Sequence, residues 1–311
     1  MSLFKRPFLA LLAIGFLAAS CQSSFDSLVE DRLAENPLPE PPTGSPGTAD
    51  FSTYVSIGNS LTAGFIDGAL YTQGQAYSYP ALIAQQLAYA GGGEFNQPDI
   101  NSVNGYNTSI QPPQGSGLVF GRFKLDTSIP GPSPVVNGEL PTAYAGNKAA
   151  LNNFGVPGIR VGELLTPAAA SNPLYARFAS APGSSTILDD AIARNPTFFT
   201  LWAGNNDVLG YALSGGTNTA ALTSPADFQA QFTDVISDLM SQTSAKGVVA
   251  DIPLIITIPY FRAVGWNVIQ LDAQTAGALN AGVAGLNQIL GAAVQFNVIT
   301  AQEAAMRTLS Y

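Results

Sequence analysis

The sequence holds no histidine in 311 residues and a single cysteine, Cys21. The first absence removes the side chain most often used as general base or metal ligand near neutral pH. The second leaves no pair of thiols for a disulfide, so a fold formed outside the cytoplasm would rest on packing alone. Charge is scarce too. Only 11% of residues are Asp, Glu, Lys or Arg, and acids outnumber bases 21 to 12. A net charge of −9 argues against nucleic acid as a partner, because phosphates need Lys and Arg to neutralise them. No nucleic-acid motif is present either. What is abundant is apolar surface: 46% of the chain, which excludes a disordered polypeptide and supports a large core. Thirty-one glycines and twenty-two prolines imply that much of the chain runs in loops.

The N-terminus is a targeting signal by pattern. Lys5 and Arg6 precede an apolar run from Phe8 to Ala19, and Ala18-Ala19-Ser20 lead into Cys21. As a helix this run spans roughly 18 Å, against a bilayer core of about 30 Å, which makes it a signal-peptide core and not a membrane span. The small residues before the cysteine resemble a bacterial lipobox, which would make residues 1–20 a lipoprotein signal peptide and Cys21 the lipidated anchor. An ordinary secretory signal followed by a chance cysteine is the alternative. Removing residues 1–20 deletes two bases and no acid, taking the charge from −9 to −11. Residues 21–50, rich in Pro, Ser and acids without a sustained period, read as a flexible tether from that anchor. With Gln22 and no aspartate after Cys21, the expected location is extracytoplasmic, lipid-anchored and on the outer membrane.

The domain begins near Phe51. "TYVSI", "ALNNF", "TFFTLWAG" and "DIPLIITIPYF" read as short strands, the last two of the buried type. Helices are expected over "SYPALIAQQLAYAGGG", "STILDDAIARNP", "SPADFQAQFTDVISDLM" and "TAGALNAGVAGLNQIL", with a last one starting at Thr300. In "SPADFQAQFTDVISDLM", Ser224, Pro225 and Asp227 form an N-terminal capping pattern, and Phe228, Phe232, Val235, Ile236 and Leu239 fall on one face. In "TAGALNAGVAGLNQIL", Leu279, Val283, Leu286 and Leu290 share a register. Residues 91–148 are dominated by Gly, Pro, Asn and Ser, an insertion too long for a plain internal loop. Apolar strands alternating with amphipathic helices predict an α/β fold with a parallel sheet and helices on both faces. In such sheets ligands bind beyond the carboxyl ends of the strands.

Three polar, glycine-containing stretches follow expected strands: Gly58-Asn59-Ser60-Leu61, Gly155-Val156-Pro157-Gly158 and Gly204-Asn205-Asn206-Asp207. Each alone has a plainer explanation. Ser60 could cap a helix, "GVPG" could be a Pro-Gly turn, and Asn206 could be a loop amide. In this order, over residues 51–311, the stretches resemble the three upstream blocks of the SGNH (GDSL) hydrolase superfamily of esterases, lipases and acylhydrolases. That resemblance implies a three-layer α/β/α sandwich of flavodoxin-like type and ester hydrolysis by acyl transfer. It makes Ser60 the nucleophile and Ser60 N–H, Gly158 N–H and the Asn206 amide the oxyanion hole. Physically, a serine on a strand-to-helix turn is exposed with its N–H towards a developing oxyanion, and the helix terminus adds positive potential. A glycine lets an acyl group approach the backbone, and an amide donates without needing a counter-ion.

Two departures stand out. The superfamily's first-block aspartate is Asn59 here, which keeps the size and loses the charge. The gap from Ser60 to Gly158 is long, in keeping with the insertion at 91–148, which would shape substrate access. The fourth block, an Asp-x-x-His that activates the serine, has no counterpart. Lys124, Lys148 and Lys246 are the only lysines of the domain and sit in no Ser-Lys motif, while Asp207 and Asp251 near strand ends are poor bases for an alcohol. The expectation is a chain truncated before that block, with an incomplete sheet and crippled activity. The rival is a complete, non-catalytic lipoprotein that binds glycan or lipid. The expected partners are an ester, either acyl lipid or acylated carbohydrate, and the membrane through the lipid anchor; no metal or organic cofactor is implied.

Overall fold

A computed structural model describes residues 24–37, 43–110, 112–128, 131–263 and 271–308. The expected signal peptide and Cys21 lie outside them. Helix α1, Ser24–Glu35, occupies the stretch expected to be an unstructured tether. Helix formers such as Leu28, Glu30, Leu33 and Ala34 account for it, and an exposed Arg32–Glu35 pair spans one turn at 3.4 Å.

The chain divides into two compact units, residues 1–252 and 253–311. In the first, β1 (Tyr54–Gly58) leads into a single helical turn, α2 (Ser60–Ala63). Then come β2 (Ala69–Leu70) and α3 (Tyr79–Leu87), the latter capped by Ser78 with Pro80 in its first turn. The insertion forms β3 (Tyr106–Asn107), β4 (Phe123–Asp126) and β5 (Gly131–Pro134). Next are β6 (Asn153–Gly155), α4 (Ile187–Ala193), β7 (Phe198–Trp202), α5 (Asn206–Leu213), α6 (Pro225–Gln242) and β8 (Lys246–Val249).

The main sheet is parallel, in the order β6-β1-β7-β8. Two small antiparallel pairs, β2-β3 and β4-β5, give the insertion its own scaffold. Strand β1 is buried along its whole length and is flanked on both sides. Its odd positions, Val55 and Ile57, lie beside Phe199 and Leu201 of β7 in the core that Ile187 of α4 and Leu239 of α6 complete. On the opposite face Tyr54 stacks on Phe95, while Trp202 meets Tyr79 of α3 edge-on. Helices thus cover both faces of an α/β sheet, as the alternation of strands and helices predicts.

One strand lies elsewhere than expected. "DIPLIITIPYF" forms two short 3₁₀ turns, Ile255–Thr257 and Pro259–Arg262, and the fourth strand is Lys246–Val249 just before it. Pro253 and Pro259 have no N–H to give a ladder, whereas Val248 and Val249 pair with Thr200 and Leu201. All four residues of β8 are exposed.

The second unit contains α7 (Ala273–Gln295) and α8 (Ala301–Arg307). The stripe expected on α7 is only partly covered: Leu290 is buried, while Leu279 and Leu286 are exposed. Thr300 and Glu303 complete a capping box at α8. No described helix is long and apolar enough to cross a membrane.

Candidate active site

Gly58, the last residue of β1, lies in register with Gly155 of β6 on one side and Trp202 of β7 on the other. The chain therefore leaves three adjacent strands at one level, and the three polar stretches begin there. Asn59 is buried and caps α2, its Oδ1 accepting the Leu61 N–H at 3.0 Å. Ser60 is then the first residue of the turn and not its cap. Its side chain is half-buried, and its hydroxyl has no hydrogen-bond partner among the described residues. With only four residues, α2 is too short for a macrodipole; the positive potential expected at its start reduces to that of individual N–H groups.

Beyond β6, the Val156 N–H donates to Gly58 O at 2.9 Å, and the Asn172 side-chain amide holds Pro157 O at 2.8 Å. Gly158 follows at φ +85°, a conformation L side chains rarely adopt, and a Cβ there would meet nothing within 4 Å. It is a backbone corner facing open space.

Beyond β7, Asn206 opens α5 and donates one amide N–H to Ile159 O at 2.7 Å, which leaves a second N–H on the same nitrogen. Asn59 Nδ2 reaches Asn205 Oδ1 at 3.5 Å. These two bonds join the residue before Ser60 to the residue before Asn206, and Asn206 to the residue after Gly158. Residues 146 and 47 apart in the chain are thus drawn into one cluster. An aspartate at position 59 could accept from Leu61 but could not donate to Asn205, so the asparagine suits its neighbour.

Of the candidate bases, only Asp207 belongs to this cluster. Asp207 is buried and fully engaged, accepting the Val161 N–H at 3.0 Å and the Thr223 hydroxyl at 2.7 Å. It braces the second and third stretches. Asp251 is exposed beyond β8, which is separated from β1 by β7. Lys246 opens β8 at the opposite end of the sheet and bonds Thr48 O at 2.5 Å; Lys148 Nζ donates to Ala179 O at 2.7 Å; Lys124 is exposed on β4. Among the described residues, no three His, Cys, Asp or Glu side chains are grouped to hold a metal ion.

The packing role of two positions beside the site escaped the sequence reading. Asn152 and Asn153 are both buried, although amides inside a strand need partners to be tolerated. Asn152 Nδ2 donates to Tyr54 O at 2.8 Å, and Asn153 Nδ2 donates to Thr62 O at 2.9 Å. The signal was present: an Asn-Asn pair at the head of an otherwise apolar strand is unusual enough to imply a network. No protein-family model, no curated protein and no solved structure matches the chain.

Proposed function

We propose that this protein is a serine ester hydrolase of the SGNH type, acting by acyl transfer through Ser60. One observation carries the proposal: Ser60, Gly158 and Asn206 leave three neighbouring parallel strands at one level, tied together by side-chain bonds. In this scheme Ser60 Oγ attacks the ester carbonyl. The carbonyl oxygen, as it becomes an oxyanion, receives the Ser60 N–H, the Gly158 N–H and the free N–H of the Asn206 amide. Collapse expels the alcohol and leaves an acyl-serine, which water then hydrolyses. The finer architecture that goes with this assignment is the flavodoxin-like α/β/α sandwich of the superfamily.

The serine still needs a proton acceptor: the sequence has no histidine, and both oxygens of Asp207 are already engaged. In the superfamily that role falls to an Asp-x-x-His block, for which residues 51–311 hold no counterpart. The same proposal puts the domain outside the cytoplasm, on a lipid at Cys21, facing acyl lipid or acylated carbohydrate. Cys21→Ser should move it from the membrane to the soluble fraction.

The unpartnered Ser60 hydroxyl also admits a second reading, a non-catalytic surface lipoprotein that binds glycan or lipid. A fluorophosphonate separates the two. Incubated with the full chain at mildly alkaline pH, it should add slowly to Ser60, as seen by peptide mass, and not to Ser60→Ala. A chain that stays unmodified at Ser60 after prolonged exposure belongs to the binding class.

A further inference from the structure

A single turn of helix cannot hold itself in place, since isolated helices below about 12 residues are marginal in water. Helix α2 has four residues, so the position of Ser60 must be imposed from outside. The imposed contacts converge on Thr62, which is fully buried. Its carbonyl oxygen accepts the Asn153 amide at 2.9 Å, and its hydroxyl lies 3.0 Å from the Tyr79 hydroxyl. Asn153, itself buried, accepts the Gly155 N–H at 2.9 Å and donates also to Gln97 Oε1 at 2.9 Å. Tyr79 packs edge-on against Trp202 with ring centroids 5.5 Å apart. One holding side chain thus belongs to the strand that leads to Gly158, and the other rests on the strand that leads to Asn206. The backbone fits as closely: a Cβ on Gly58 would stand 2.2 Å from Thr62 Oγ1.

We infer that Asn153 and Tyr79 are positioning residues that act through Thr62 to set Ser60 against the oxyanion donors. The catalytic meaning of this rests on the esterase reading, whereas the mechanical claim about α2 does not.

The test uses the full chain and three variants. Asn153→Asp keeps the size and the acceptor and turns an oxygen towards Thr62 O. Tyr79→Phe removes one hydroxyl, which guards against a misfolded Asn153 variant. Ser128→Ala removes an exposed hydroxyl that bonds Asp126 in the insertion and touches none of these residues, so it serves as control. Hydrogen exchange of the peptide covering residues 59–65 and the rate of phosphonate addition to Ser60 are read on each. Asn153→Asp and Tyr79→Phe should each speed exchange in 59–65 by about tenfold, as for the loss of one buried hydrogen bond in a local opening. Exchange in α6 should stay as in the wild type. Phosphonate addition should fall by about 10²-fold, the effect of a small misplacement of a reacting group. Ser128→Ala should change neither by more than about twofold. Unchanged exchange in 59–65 in both variants overturns the inference, and so does faster exchange with Ser60 reacting at the wild-type rate. If Ser60 of the wild type never reacts, the esterase reading fails, and exchange alone then decides whether Asn153 and Tyr79 hold α2.

Discussion

At the scale of single residues, the site is built from uncharged donors. Asn206 has two jobs on one nitrogen: it holds Ile159 O and offers its remaining N–H to the open side. Asn206→Ala should slow phosphonate addition to Ser60 by about 10²–10³-fold, the usual loss for one oxyanion donor. The same change leaves Ile159 O without its partner, so a loss of about 1 kcal/mol in urea unfolding should accompany it. Asp207 behaves differently. Its oxygens are occupied by the Val161 N–H and the Thr223 hydroxyl, and Asp207→Ala would leave both buried donors without that partner. That substitution should cost about 1–3 kcal/mol in denaturant unfolding, with no separate effect on Ser60 reactivity once folded protein is compared.

At the scale of elements, close approach matters more than propensity. A Cβ on Gly155 would sit 2.3 Å from the Ala63 nitrogen, so β6 and α2 touch through a missing side chain. Gly155→Ala should destabilise by about 1–3 kcal/mol through overpacking, read as a lowered melting temperature. The sequence disclosed β1 and β7 because they are short apolar runs ending in glycine or in a polar turn, β6 through the Gly-Val-Pro-Gly turn that follows it, and α4 and α6 because caps and periodicity agree. It misplaced β8, since the more apolar "LIIT" segment outranked "KGVV", although prolines flank the first on both sides and not the second. It missed α1, whose exposed face carries no apolar period to detect. At the site, the serine, glycine and asparagine were visible as local motifs. The bond from Asn153 to Thr62 was not, because it joins residues 91 apart in sequence and nothing local announces it.

At the scale of the whole molecule, stability at high pH turns on buried tyrosines. Burial raises the Tyr54, Tyr71, Tyr79 and Tyr175 hydroxyls above the ordinary tyrosine value. The folded chain therefore holds these protons more tightly than the unfolded one. Their contribution is complete below about pH 10, the unfolded value, and is lost as pH rises through the folded values. Arg177 runs the other way, because desolvation lowers it to about 10 and the folded chain releases that proton first. Four groups oppose one, so urea midpoints should fall above about pH 10, and Tyr54→Phe should make that fall shallower.

Arg177 has a wider consequence. Its guanidinium is buried without a carboxylate and is spent on backbone carbonyls: Thr142 O at 3.2 Å, Pro98 O at 2.6 Å and Asp99 O. Asn96 and Asn152 close the same neck, with the Asn152 N–H donating to Asn96 O at 2.8 Å and the Asn96 N–H to the Asn152 side chain at 3.0 Å. The insertion between these points is tied again to residues 67–72, through β2-β3 and the Phe123 N–H to Asp67 O bond at 2.7 Å. Doubling the length of a flexible segment whose ends are held costs only about 0.6 kcal/mol in closure entropy. The chain between Asn107 and Phe120, whose ends are joined by the Asn107 N–H to Phe120 O bond at 2.8 Å, can therefore lengthen, shrink or be exchanged in the course of evolution while the strands that carry Ser60, Gly158 and Asn206 stay where they are.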